Sequence, residues 1–325
     1  MRFFKHMMVN PLAGMRITKS VSLRALHTFK YQEARVTYTT KAYPPPTTYQ
    51  TSPSESHVEV PGSPPLLRDV VEEVSDLIDT PKAVSSMIDE LYEPSQLYKF
   101  PSEPPAFYID LEGIKLSRFG TIAIMQLHSR PTRRTYLVDI WTLGKAAFTT
   151  RGTRSSDTLQ SILESNDIPK VFFDVRRDSD ALYHHYKIKL GCIHDIQLME
   201  LATRTTHRKT LVAGLRQCIE QDSKLPKEEK LEWKVAKETG TNLLAPEKGG
   251  KYEVLIQRPL SPEVKAYCIQ DVHFLPRLWD VYHRKLRAKW KDRLEKATRA
   301  RVTESRAEEY QPQGPHMLRG PPGWR

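Results

Sequence analysis

From Phe107 the chain runs Phe-Tyr-Ile-Asp-Leu-Glu to Glu112. Phe107–Leu111 is apolar, aromatic and β-branched, the composition of a strand in the middle of a sheet. It also carries two carboxylates two residues apart. The period of a strand is two, so Asp110 and Glu112 share one face. At a solvated strand end that pairing is ordinary. On a central strand it is costly unless cations neutralise it. A fold that places this strand centrally must therefore bring positive charge to one of its faces.

The surrounding pattern supports a central position. Leu67, Val70, Val71, Val74, Leu77 and Ile78 follow helical spacing, with a short strand from Leu77 as the alternative. Thr80-Pro81 predicts a helix start, N-cap then first-turn proline, and that helix runs to about Tyr92. Strands are predicted at Phe107–Leu111, Thr121–Leu127 and Arg134–Ile140, followed by a helix over 157–164 and a strand over Val171–Val175. A helix from Asp178 to Tyr186, an extended His194–Leu198, and helices over 201–205 and 210–221 come next. Residues 222–260 read as a loop-rich excursion around one helix, Lys227–Lys237. Ser261-Pro262 opens the last core helix, which passes Asp271 and is expected to kink at Pro276. Strands first, then alternating helix and strand, predict an α/β layered domain with a mixed sheet.

Composition limits what else the chain can be. It has 325 residues, 24 of them proline, with hydrophobic residues at 39%. The apolar residues concentrate between Leu66 and Leu286, enough for one substantial core. Residues 1–65 are expected to be a disordered, basic and Pro-rich segment, and 286–325 a basic helix followed by a disordered tail. No acid precedes Glu33, while Arg2, Lys5, Arg16, Lys19, Arg24 and Lys30 all do. That suits a mitochondrial presequence; a basic tail of a cytoplasmic or nuclear protein is the other reading. The three cysteines, Cys192, Cys218 and Cys268, form no CxxC pair, which argues against a disulfide framework or a zinc ribbon. His184, His185 and His194 lack the partners a zinc site needs. No apolar run approaches the ~20 residues that span a bilayer. Net charge is +11, which favours a polyanionic partner such as nucleic acid, or an anionic membrane surface.

Two further segments supply acids. Asp178 follows the apolar strand at Val171–Val175, and reads either as a helix cap or as a ligand, with Asp174 and Asp180 as local rivals. Tyr267 and Asp271 are four apart on a helix and lie on one face; a packing tyrosine and a surface acid are the alternative. Taken together, Asp110, Glu112, Asp178 and Asp271 suit two-metal phosphodiester hydrolysis. That reaction needs a deprotonated water at neutral pH and charge stabilisation on the leaving oxygen, which two ions ~3.5–4 Å apart supply. Mg²⁺ suits such oxygen ligands, and Mn²⁺ fits the same set. Tyr267 would orient the attacking water. Ala266 rules out the histidine-based variant of this arrangement.

At this level of detail the chain resembles the ribonuclease D-like branch of the DEDD 3′–5′ exonuclease superfamily, in its Tyr-containing subgroup. The first motif is matched by Tyr108-Ile-Asp-Leu-Glu112 and Gly120-Thr-Ile-Ala-Ile-Met-Gln126. The second is matched by Val171-Phe-Phe-Asp-Val-Arg-Arg-Asp178, then Asp195-Ile-Gln197. The third is matched by Arg258-Pro-Leu-Ser-Pro262 and Tyr267-Cys-Ile-Gln-Asp271. The match runs from about Asp76 to Tyr282. It implies a ribonuclease-H-like mixed sheet flanked by helices, two divalent ions on Asp110, Glu112, Asp178 and Asp271, and water orientation by Tyr267. It implies an exonuclease domain over 66–285 that removes nucleotides from RNA or DNA 3′ ends. The alternative is an exonuclease-fold RNA-binding adaptor with weak or no catalysis.

Some features depart from that pattern. Phe173 stands where ribonuclease D often has His. The stretch from Lys224 to Gln257 is long and lacks the usual Trp before Arg258. No accessory helical domain is expected after the third motif. For nucleic-acid contacts, Arg176 and Arg177 are candidates beside Asp178. Lys248-Gly-Gly-Lys251 would offer main-chain N–H groups and charge to a phosphate, or else be an ordinary turn. The run Arg284, Lys285, Arg287, Lys289, Lys291, Arg293 and Lys296 reads either as a backbone-tracking helix or as a solvated one.

Overall fold

The computed structural model describes residues 75–92, 104–205 and 209–324. The expectations for residues 1–65, and for helical spacing over 66–74, lie outside them. Among the described residues, β1 (Ser75–Ile78), β2 (Phe107–Glu112), β3 (Ile124–Ser129), β4 (Arg134–Asp139), β5 (Lys170–Phe172) and β6 (Ile193–Asp195) form one sheet, ordered β1-β4-β3-β2-β5-β6. β2 lies inside it, antiparallel to β3 and parallel to β5. Asp110 stands opposite Gln126 and Glu112 opposite Ile124. This is the predicted α/β architecture, with helices on both faces of a mixed sheet.

Alternation along β2 sorts its side chains. Ile109 and Leu111 enter one core with Val84 and Ile88 of α1 (Pro81–Tyr92), Ile162 of α4 (Leu159–Glu164) and Leu182 of α5 (Arg176–Tyr186). The short α2 (Ile140–Leu143) and α3 (Ala146–Thr149) link β4 to α4. Tyr108 enters a second core with Met199 of α6 (Ile196–Thr203), Ile219 of α7 (Leu215–Asp222) and Trp233 of α8 (Lys227–Leu244). The same core takes Val272 of α9 (Pro262–His273) and Leu278 of α10 (Leu275–Lys285). Each such side chain, fully buried, contributes ~1.5–3 kcal/mol. Asp110 and Glu112 share the face of Tyr108, so the acids look toward α9.

Several elements differ from expectation, for tertiary reasons. Leu77 and Ile78 belong to a strand, because β4 gives Ser75–Ile78 a parallel partner, Leu77 opposite Leu137. β5 stops at Phe172, and Asp174 takes a left-handed φ of 60° that swings the chain into α5. The stretch expected to stay extended to Leu198 turns helical at Ile196, because the Asp195 carboxylate accepts from the N–H groups of Gln197 (3.0 Å) and Leu198 (3.4 Å). Pro276 breaks the helix rather than kinking it: α9 ends at His273 and α10 begins at Leu275, with the proline in its first turn, where no N–H is needed.

The carboxy-terminal segment differs most. A basic helix is present, α11 (Ala288–Glu304), but residues 305–324 do not trail away. They fold back beside α5 and α6, with a 3₁₀ turn at Pro315–Leu318. Val212 N–H donates to Leu318 O (3.0 Å), Gly320 N–H to Thr210 O (2.9 Å), and Trp324 packs edge-on against Trp290 at 5.0 Å between ring centroids.

Candidate active site

Helix α9 delivers Tyr267 and Asp271 to the acid-bearing face of β2. Its start is fixed locally: the Ser261 hydroxyl accepts from Val264 N–H (3.3 Å), and Pro262 occupies the first turn. It is also fixed from a distance. The Arg258 guanidinium grips the Asp139 carboxylate through Nε and Nη2, and donates from Nη1 to Leu255 O (2.9 Å) and Gln257 O (2.7 Å). Asp139 in turn caps α2 through Thr142 N–H (3.0 Å). Burial raises the Asp139 carboxyl, but the bonds from Arg258 and Thr142 outweigh it and hold the pKa below the usual value. The Arg258-Pro-Leu-Ser segment thus ties the start of α9 to the end of β4.

Asp110, Glu112 and Asp271 then converge. Each offers one carboxylate oxygen such that all three lie within 4.8 Å of one another, and all three residues are buried. Buried anions so placed require compensation. The Oδ2 atom of Asp271 is buried without a hydrogen-bond partner among the described residues. A hard divalent cation suits this arrangement: several carboxylate oxygens from separate elements, closely spaced, with an unsatisfied buried oxygen among them.

Asp178 lies in the first turn of α5, fully buried, and is not one of the three converging carboxylates. Its local rivals have other duties. Asp174 takes a bidentate contact from Arg176 (2.6 and 2.9 Å), and Asp180 one from Arg118 (backbone N–H and Nε, both 2.7 Å). The flanking Asp195-Ile-Gln motif also acquires a physical role. Asp195 accepts from the N–H groups of Asp174 (3.1 Å) and Val175 (3.3 Å) while capping α6, so it ties β6 to the turn that presents Asp178.

The basic residues expected to meet nucleic acid beside Asp178 point inward. Arg176 and Arg177 are buried. Arg176 holds Asp174 and donates to Met317 O (2.7 Å), and Arg177 donates to Pro312 O (3.1 Å). Both arginines bind the returning carboxy-terminal segment. Lys248 and Lys251 are exposed, but the intended cradle is closed: the N–H groups of Lys248, Gly249, Gly250 and Lys251 donate to Ala245, Pro246, Ala245 and Leu243. The ordinary-turn reading holds for that backbone.

Sequence reasoning missed two residues of the site, both on α8. This helix extends to Leu244, beyond the expected end at Lys237. Its inner stripe of Trp233, Lys237, Gly240 and Leu244 is buried. Lys237 forms an ion pair with Asp271 Oδ1, and its ammonium stands 3.9 Å from the centroid of the Tyr267 ring. Gly240 lets the helix approach that ring: a Cβ there would lie 2.3 Å from Tyr267 Cδ2. The signal was available, since Trp233, Lys237, Gly240 and Leu244 recur at three- and four-residue intervals. The polar composition around them hid it. Cys268, behind the acids, is fully buried; burial first, and then Glu112, push its thiol pKa upward, so it stays protonated.

The model of the 3′-5′ exonuclease domain family matches residues 77–287. Ribonuclease D of Trypanosoma brucei in complex with GMP aligns with a TM-score of 0.57 at 20% identity, over 75% of this chain and 68% of that one. The same ribonuclease D in complex with RNA U12 gives 0.55 at 17% identity, over 76% and 75%. A further structure of it gives 0.55 at 19%, over 75% and 77%. No curated protein matches. The structural likeness establishes the ribonuclease-H-like fold, and the family match covers every acid discussed above. This chain belongs to the 3′–5′ exonuclease family of the DEDD superfamily and is a phosphodiester hydrolase of that class.

Proposed function

We propose that the site removes nucleotides from the 3′ ends of single-stranded RNA with the help of two divalent ions, Mg²⁺ or Mn²⁺. The observation that carries this reading is the convergence of Asp110, Glu112 and Asp271 beside Tyr267. These three carboxylates would hold one ion, and Asp178 with Asp110 the second. When bound, such ions supply a nucleophilic water at neutral pH and neutralise charge on the leaving oxygen. The protein's own part is positioning. Burial excludes water from around the acids, α9 holds Tyr267 one turn from Asp271, and Gly240 with Lys237 fixes the tyrosine ring so that its hydroxyl orients the attacking water. The RNA reading draws support from the ribonuclease D solved with RNA and from the net charge of +11.

The test is shortening of end-labelled RNA and DNA single strands of one sequence, with Mg²⁺, with Mn²⁺ and with chelator. Metal-dependent loss of the 3′ label, faster on RNA, is expected; shortening that survives chelation, or DNA preferred to RNA, would count against the proposal. Asp110→Asn should lower turnover on the order of 10³-fold or more, since ion-borne charge stabilisation is worth several kcal/mol. Tyr267→Phe should cost less, because the ions remain.

A further inference from the structure

The ammonium of Lys237 is buried against Asp271 Oδ1, one of the three converging carboxylates, and over the ring of Tyr267. A buried ammonium needs an anion, and a buried carboxylate needs a cation. Here each meets the need of the other. Asp271 is also one of the three acids placed to bind a divalent ion. One carboxylate cannot serve both cations at full strength: an ion drawing on Asp271 repels the nearby ammonium and takes the charge that compensates it. Lys237 would then share with the ion the carboxylate that compensates it, and a further anion would restore its counter-charge. The reaction itself brings one, the phosphodiester at the 3′ end. The backbone around Lys237 is well fixed, with the Thr241 hydroxyl donating to Lys237 O (2.6 Å) and Gly240 seated on Tyr267. The flexible part is the four-carbon stem, which allows the ammonium to change partner while the helix stays in place.

We propose that Lys237 couples cation loading to nucleic-acid binding. It neutralises Asp271 until a 3′-terminal phosphodiester takes over the ammonium, which releases the carboxylate to a divalent ion. Ion and nucleic acid then strengthen each other's binding, by the same factor in both directions. The charge count explains why α8 brings a lysine to this position. Without it, the acids would attract divalent ions strongly in the absence of substrate. With it, full cation affinity appears when the scissile linkage is present. The proposal rests on the cation reading of Asp110, Glu112 and Asp271 given above, and the experiment separates the two.

The full chain, stripped with chelator, is titrated with Mn²⁺, and free Mn²⁺ is followed by electron paramagnetic resonance. Titrations are run alone and with a short single-stranded RNA whose last linkage is an N3′–P5′ phosphoramidate, which keeps its charge and resists hydrolysis; Mn²⁺ held by the oligonucleotide itself is subtracted. For the unmodified protein, the oligonucleotide should tighten Mn²⁺ binding at least about fivefold, the lower end of typical coupling. Lys237→Met should bind Mn²⁺ about tenfold more tightly than wild type without oligonucleotide, equivalent to ~1.4 kcal/mol, and should gain little from adding it. If the unmodified protein binds no Mn²⁺ that Asp110→Asn removes, the cation reading fails and the coupling with it. If it binds Mn²⁺ with an affinity indifferent to the oligonucleotide, the cation reading stands and the coupling is overturned. A folded Lys237→Met protein, judged by circular dichroism, that titrates like wild type also overturns it. The wild-type comparison decides on its own should that variant not fold.

Discussion

Two segments that look peripheral in the sequence, 227–244 and 288–324, both pack onto the sheet domain, to opposite effect. Each is polar and rich in lysine or arginine; the first reads as a helix within a loop-rich excursion, the second as a basic helix that either tracks a nucleic-acid backbone or is solvated. Helix α8 lies against α9 and delivers a cation to Asp271 in the candidate site. The carboxy-terminal segment delivers one cation, Arg301, to buried structural acids. Arg301 donates to Asp195 Oδ2 (2.8 Å), and backbone oxygens of 305–317 receive Arg118, Arg176 and Arg177. The lesson concerns where a charge ends up. The arginines beside Asp178 look like substrate contacts and are buried against the carboxy-terminal segment, whereas a lysine in an apparently ordinary surface helix sits on one of the three converging carboxylates.

The sharpest way to break that contrast is to delete residues 288–325. If the segment is integral, Asp195 loses Arg301 and becomes an uncompensated buried charge, a change that costs ~3–5 kcal/mol by itself. Arg118, Arg176 and Arg177 also lose the carbonyl acceptors in this segment, while Arg118 keeps Asp180 and Arg176 keeps Asp174. The shortened chain should show no cooperative unfolding transition near that of the full chain; an unchanged urea midpoint would make this segment an accessory after all. Arg301→Met removes one guanidinium from Asp195 and Asp174 and should destabilise by roughly 3 kcal/mol, at the low end for a broken buried pair, while a folded population retains the carboxylate constellation. Equilibrium unfolding measures it.

Gly240→Ala tests the other side of the comparison. The new methyl would meet Tyr267 at 2.3 Å, so the ring or the helix must shift, at ~1–3 kcal/mol of stability. Because the ring belongs to the site, turnover should fall more steeply than stability, by about 10²-fold for a misplacement of this size. Proportionate loss of both would make α8 mere packing. The smallest effect separates exposed from buried basic residues. Lys248→Ala with Lys251→Ala should lower the salt slope of RNA binding by at most ~2, one for each phosphate no longer neutralised. Arg177→Met should leave the slope unchanged and lower stability instead. A reversal of those two results would restore Arg177 to the binding surface.

Local chemistry made much of the molecule legible. The Ser261-Pro262 start of α9, the face shared by Asp110 and Glu112, and the one-turn spacing of Tyr267 and Asp271 all follow from short-range rules, and the structure bears them out. Asp110, Glu112 and Asp271 come together in space, and Asp178 takes the helix-start position outside that group. What was misread depended on distant partners. Leu77 and Ile78 are equally compatible with helix and strand until β4 stands beside them. The direction in which Arg176 and Arg177 point depends on residues more than a hundred positions later. Lys237 has ordinary helical neighbours, and nothing near it in sequence reveals Asp271.

The sequence by itself made legible the acid-bearing motifs, their order and the kinds of element that carry them, and with them the class of reaction. It could do so because strand and helix periodicities fix which side chains share a face over a few residues. Only the tertiary structure decided how charge is distributed around those acids. Electrostatic compensation of a buried group is a matter of a few ångströms in space, and it is indifferent to separation along the chain.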